Sequence, residues 1–310
     1  MTATTVKNGT EAKKFIVTCH GWSASNWLAY ALNAHDDISC AHSSAAIVAD
    51  DPAIFDGDGL RENIPVLRKG YIQRQTKPIS DVYAEIAASH PAPFIGSVHT
   101  YRLRDLPVQS ECFGPPDTAF PVVNLVRHPL DLVVSGYGQF KDLFPIDLNE
   151  FAWTLRKIAD HGLDIIEDVC ARHDKRPGDF DQVCFFGACV VLGSLQLDLK
   201  ARDRIQQPPA NTSWDYRGAV KMEEVTRSPE TLAELIERLT GETGLATPAY
   251  LRKVSSMGRI NTHHHSARPS SVERWRDLED WQQEAFSRFL DHFGLRAAYI
   301  EMGYNFDFMD

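Results

Sequence analysis

Arg127 and Ser135 stand eight residues apart in the run Val-Val-Asn-Leu-Val-Arg-His-Pro-Leu-Asp-Leu-Val-Val-Ser-Gly (122–136), and together they can hold a phosphoryl group. A guanidinium offers paired planar donors to phosphate oxygens, and a nearby hydroxyl adds a third. The bland alternative for Arg127 is an ion pair with Asp131. His99 follows the apolar segment Phe94-Ile95-Gly96-Ser97-Val98. An imidazole there can take a proton at neutral pH, although a histidine at a strand end is often only hydrogen-bonded. A third candidate is the small-residue stretch His20 to Asn26, where Ser23, Ser25 and Asn26 could donate to phosphate oxygens. An ordinary capped strand-to-helix turn has the same composition. His263-His264-His265 has no carboxylate or thiol partner at helix spacing, so a solvated loop is favoured over a metal site.

These side chains need rigid elements behind them. Val122 to Val126 reads as a buried strand, and Pro129 with Asp131 suits the first turn of a helix that carries Ser135. Phe15 to Cys19 reads as another strand, followed by the loop at 20–26 and a helix over Trp27 to Ala34. Further along, the pattern predicts a helix over Asp81–Ser89 and a strand over Phe94–Val98. Helices follow near Leu148–Ala171 and Gln182–Arg202, then a loop over Gln207–Arg217. A short strand at Ala219–Met222, a helix over Pro229–Leu239, a flexible loop over Gly258–Val272 and a helix over Trp275–Phe293 complete the reading. Strands alternating with helices predict an α/β fold, with a mostly parallel central sheet flanked by helices. One domain over residues 15–310, after a flexible segment 1–14, accounts for the length. Arg127, His99 and the 20–26 loop then all fall at carboxyl ends of strands, where α/β sheets bind anionic ligands.

The formal net charge of −10 argues against a broad nucleic-acid or anionic-membrane surface. An anion must therefore be held by a few local cations. The six cysteines form no CxxC pair, and the polar first residues lack a secretory apolar core, so the expected setting is cytoplasmic. Val183 to Leu197, about 15 residues, falls short of the ~20 that span a bilayer, and a buried helix is expected instead of a membrane span.

Two of these segments resemble the PAPS-dependent sulfotransferase family, a P-loop NTPase-like fold that uses 3′-phosphoadenylyl sulfate (PAPS) as sulfuryl donor. The family's 3′-phosphate element, Arg-x-Pro-x-Asp with a Ser eight residues after the Arg, is met in full by Arg127, Pro129, Asp131 and Ser135. Its phosphosulfate loop, Pro-Lys-Ser-Gly-Thr-Thr-Trp-Leu, is met in part. Aligned on Trp27-Leu28, it puts Trp22 at the Lys, Ser23 at the Ser, Ala24 at the Gly, and Ser25 with Asn26 at the Thr pair. The resemblance implies that Trp27 stacks on adenine and that His99 is the catalytic base. It also implies that Arg268 closes over the 3′-phosphate. Trp275-Arg276 and Gly303-Tyr304 match the family's C-terminal pattern, whereas Ser270 and Glu273 replace its glycines. Ser97 replaces a lysine and Met222 a tyrosine, and Arg102 and Arg104 are the nearest cations to assist. The implied reaction moves a sulfuryl group to a hydroxyl or amine of a small-molecule or glycan acceptor, with no metal and no nucleic acid, and leaves a homodimer open. The alternative is a pseudoenzyme that binds the nucleotide or a protein partner after losing the chemistry. A P-loop kinase is disfavoured because GxxxxGK[ST] is absent.

Overall fold

The fold is taken from a computed structural model that describes residues 12–21, 23, 25–42, 45–47, 78–114, 116–206, 214–257 and 270–309. The sheet has six strands: β1 (Lys13–Cys19), β2 (Ile38–His42), β3 (Ala45–Ile47), β4 (Phe94–Val98), β5 (Phe120–Val126) and β6 (Trp214–Lys221). Their order across the sheet is β3-β2-β4-β1-β5-β6. All neighbours are parallel except β2 and β3, which pair antiparallel at one edge. The expected α/β class and mostly parallel sheet are what the chain adopts.

Helices cover both faces, as a parallel sheet requires. Side chains alternate along β1, so Phe15, Val17 and Cys19 point to one face and Ile16 to the other. The first face packs on α1 (Ser25–Asn33) and, further along the chain, on the helix Pro229–Thr240 through Leu232, Leu235 and Ile236. The second face packs on α2 (Ile79–Ser89) through Tyr83 and Ile86, and on α3 (Asp105–Phe113) through Leu106. Gly96 of β4 pairs with Phe15 in the register, and a Cβ there would run into the Phe15 ring. The bare backbone of β4 lets that ring lie flat across it.

A third core is wholly helical. It joins α4 (Pro129–Leu143), α5 (Leu148–His161), α6 (Leu163–Arg172), α7 (Phe180–Val190) and the start of α8 (Leu192–Gln206). The remaining helices are α9 (Met222–Val225), α10 (Pro229–Thr240), α11 (Pro248–Ser256), α12 (Ser271–Arg276), α13 (Asp280–His292) and α14 (Leu295–Glu301). Phe185 and Phe186 of α7 meet Trp281 of α13 edge-on, with centroids 5.3 and 5.6 Å apart. Ile205, further along α8, lies in the core beneath β6, so that helix ties the helical layer to the sheet.

Several local expectations need correction. The helix over Gln182–Arg202 is two helices, broken at Val191. Counted through that break, Phe180–Gln206 is a 27-residue run long and apolar enough to cross a membrane by length and composition. It is longer than the sequence reading allowed. Gln182 to Val190 are buried without exception, so packing inside the helical core accounts for the apolarity of α7. The loop expected over Gln207–Arg217 gives way to β6 from Trp214 onward, because Trp214 pairs with Phe120. Met222 opens the short helix α9 instead of closing a strand. The helix expected over Trp275–Phe293 divides into α12 and α13, since Glu279 and Gln282 form a second capping box. Ser271 and Val272, expected in a loop, begin α12 behind the Ser270–Glu273 capping box. β1 starts at Lys13, inside the segment expected to be flexible.

Candidate functional site

Five chemistry-bearing side chains lie in one row at the carboxyl edge of the sheet. They are His42 on β2, His99 just past β4, His20 just past β1, Arg127 just past β5 and Lys221 ending β6. The chain leaves β1 into α1, on one face, and leaves β5 into α4, which belongs to the separate helical core. The gap between β1 and β5 is thus the crevice where open α/β sheets take ligands.

Arg127 is 8% exposed, and its Nη1 donates to Ser135 Oγ at 2.9 Å. The pairing with Asp131 does not form; Asp131 Oδ1 instead lies 3.4 Å from Arg274 Nε of α12. The turn carrying Arg127 is held from several sides. His128 caps α4, its Nδ1 accepting from Leu130 N–H at 3.2 Å, and its Nε2 donates to the Asn305 carbonyl at 3.2 Å. Burial keeps this imidazole below its ordinary pKa, consistent with a neutral ring that both donates and accepts. Glu223 accepts from the His128 backbone N–H at 3.0 Å and from Tyr304 O–H at 3.1 Å. Gly303-Tyr304 therefore serves as a brace for the β5–α4 turn.

His99 is half-buried and adopts a left-handed backbone, φ 62°. Its Nδ1 lies 3.1 Å from the Cys19 carbonyl oxygen, which can only accept, so Nδ1 carries the proton and Nε2 the lone pair. That is the tautomer a general base needs. The His42 ring stands 5.7 Å from the His99 ring, and its Nε2 is 2.9 Å from Ser25 Oγ. Ser25 opens α1 and is buried, so its hydroxyl is shared with His42 before any ligand arrives.

Within the 20–26 loop, Ser23 Oγ and Asn26 Oδ1 are buried without a hydrogen-bond partner among the described residues. Trp27 is half-buried, with one flank against the core of the α1 face. Trp22, Ala24 and Arg268 lie outside the described residues, as do His263 to His265. Ser97 is fully buried, and its hydroxyl donates to Tyr83 Oη at 3.1 Å, since Tyr83 O–H donates to the Phe15 carbonyl. The family's lysine position is therefore a core position here. Met222 is likewise buried in the core of the α1 face.

Sequence reasoning named Arg102 and Arg104 as cations but missed that they join His20 and Asp198 in a charged cluster beside the loop. His20 Nε2 lies 2.9 Å from Asp198 Oδ2 of α8, in a close but bent contact with both groups buried. Arg102 is 9% exposed, and its backbone N–H donates to Asp105 Oδ2 at 2.8 Å. The Arg104 backbone N–H donates to Asp198 Oδ1 at 3.1 Å. Burial, reinforced by Arg102, pushes the His20 pKa down to about 4, so this imidazole is neutral at pH 7. Burial also pushes Arg102 down to about 9, still charged at neutral pH. Burial works to raise the Asp198 pKa, but His20, Arg104 and Arg102 outweigh it and hold the carboxyl ionised. No sequence motif announces this cluster, because Asp198 arrives from a helix remote in the chain.

Among the described residues no group of three His, Cys, Asp or Glu side chains could hold a metal. Compared with known proteins, the chain matches no family profile, no curated protein and no solved structure.

Proposed function

We propose that the chain transfers the sulfuryl group of PAPS to a hydroxyl or amine of a small-molecule or glycan acceptor. The observation that carries this reading is the Arg127–Ser135 pair at the end of β5, with His99 two strands away across β1. Two strand spacings are about 10 Å, a gap that a ribose with its two phosphoryl arms can bridge. Arg127 and Ser135 hold the 3′-phosphate, and the Ser23 and Asn26 side chains face the 5′ end with donors and acceptors still to satisfy. His99 Nε2 takes the acceptor proton while the acceptor oxygen or nitrogen bonds to sulfur and the sulfur–phosphate oxygen bond breaks. The departing electron pair stays on the 5′-phosphate of adenosine 3′,5′-bisphosphate.

A second reading, a nucleotide-binding pseudoenzyme, draws on the burial of Ser97 beneath Tyr83, which leaves no cation at that position. Calorimetry with adenosine 3′,5′-bisphosphate tests both readings, followed by transfer from labelled PAPS across a panel of phenols, amines and oligosaccharides. Binding with transfer supports the enzyme. Binding without transfer favours the pseudoenzyme, and no binding removes both.

A further inference from the structure

The crevice between β1 and β5 encloses a cavity of about 20 Å³, lined by His20, Ser23, Asn124, Arg127, Asp198 and Tyr299, among others. That space holds about one water, or one oxygen of a larger group. Two of its walls carry unspent polarity: His20 Nδ1 and Ser23 Oγ are buried and have no hydrogen-bond partner among the described residues. His20 is 4% exposed and Ser23 1%. Buried polar groups are seldom left unmatched unless a water or ligand completes them.

We propose that His20 is a proton-loaded anion receptor: it takes up a proton as an oxyanion enters this cavity, and the resulting imidazolium faces the anion while Asp198 braces it from behind. The placement supports this in three ways. Asp198 lies beside Nε2, which orients the ring and leaves Nδ1 as the nitrogen to be protonated. Ser23 and Arg127 supply donors on the remaining sides of the cavity. The charges around it also favour an anion. Arg102 and Arg104 from the segment before α3 bear on His20 and Asp198, and Arg127 lines the cavity. Tyr299 of α14 adds none, because burial keeps its phenol protonated. A protonated His20 adds a positive charge facing an anion such as sulfate.

The anion must raise the proton affinity of His20 by about ten-thousandfold to hold it charged at pH 7. A dianion at contact distance in a water-poor site is a perturbation of that order. In the sulfuryl-transfer reading, on which this part alone rests, the same imidazolium joins Arg127 and Ser135 at the 3′-phosphate of the donor nucleotide.

Inorganic sulfate is the probe, because its own charge is constant between pH 5 and 8 and any proton taken up belongs to the protein. Calorimetry on the full chain at pH 7, in two buffers of different ionisation heat, should show uptake of about one proton per sulfate bound. His20→Gln should bind sulfate at least tenfold more weakly and take up none. A second measurement needs no variant: ¹⁵N NMR of the His20 ring should pass from the neutral Nε2–H form to imidazolium on titration with sulfate. Sulfate binding without proton uptake, uptake unchanged in His20→Gln, a ring that stays neutral, or no sulfate binding would each overturn the proposal. Proton-coupled sulfate binding with no affinity for adenosine 3′,5′-bisphosphate would leave the anion receptor standing and remove the sulfotransferase reading.

Discussion

His99 donates from Nδ1 to the carbonyl oxygen of Cys19, tying the residue past β4 to the last residue of β1. The bond fixes the ring's tautomer and leaves the lone pair on Nε2. The left-handed φ of 62° at His99 is the backbone conformation that accompanies this placement.

His99→Asn is the variant that isolates this role, because asparagine tolerates the left-handed region better than most residues. Turnover should fall by about 10²- to 10⁴-fold, while nucleotide affinity and stability stay near wild type. His99→Ala should lose the same activity and, in addition, about 1 kcal/mol of stability to the strained backbone. Unchanged kcat in both variants would remove His99 from the chemistry.

The grip on the 3′-phosphate is tested by Arg127→Ala and Ser135→Ala. Losing a charged hydrogen-bonding partner costs about 1.5–3 kcal/mol, or roughly 10- to 150-fold in Kd for adenosine 3′,5′-bisphosphate. Ser135→Ala should cost less, about fivefold. The double variant should lose less than the sum, since Ser135 acts partly by orienting Arg127 through their 2.9 Å bond. Strict additivity, measured by calorimetry, would show that the two residues do not work as a pair.

Restoring the family's lysine by Ser97→Lys should not restore or raise activity. Ser97 is fully buried beneath Tyr83, and a charged ammonium there would displace a hydrogen-bonded hydroxyl from a closed core. The expected loss is at least about 3 kcal/mol of unfolding free energy, read from urea denaturation. A stable and more active variant would mean that position 97 faces the ligand after all.

The His20–Asp198 pair should make the fold acid-sensitive. With its folded pKa at about 4 against 6.5 unfolded, His20 binds its proton more readily in the unfolded chain. Stability is therefore complete above pH 6.5 and declines as pH falls toward 4, by roughly 3 kcal/mol in all. The depressed Asp198 carboxyl acts in the same sense at still lower pH, as its charge is lost. His20→Gln should flatten the urea midpoint between pH 4 and 6.5. An unaltered slope would show that His20 is not the titrating group.

The turn from β5 into α4 was legible because its signals are local. An unbroken apolar run, an arginine at its end and a proline in the first helical turn lie within a dozen residues. The same holds for β1. β2 went unread because Ile-Ser-Cys-Ala-His alternates too weakly for a strand, and only its neighbour β4 makes it one. Positions 97 and 222 align by resemblance with a lysine and a tyrosine of the family, whereas Tyr83 covers Ser97 and Met222 lies in the core of the α1 face. The charged cluster was out of reach for a different reason. A polar contact between the start of a loop and the middle of α8 has no spacing rule, and only the packing of α8 against the sheet creates it.

Ser135 rides on a helix whose far half, through Phe140 and Leu143, is fixed among the aromatics of the helical layer. α4 consequently behaves as a lever with its fulcrum deep in that layer and its working end at Arg127. Substitutions around Phe185 or Trp281, which never approach the sheet, will register as altered hold on a bound phosphate. Remote residues thus tune the ligand through the tilt of a single rod.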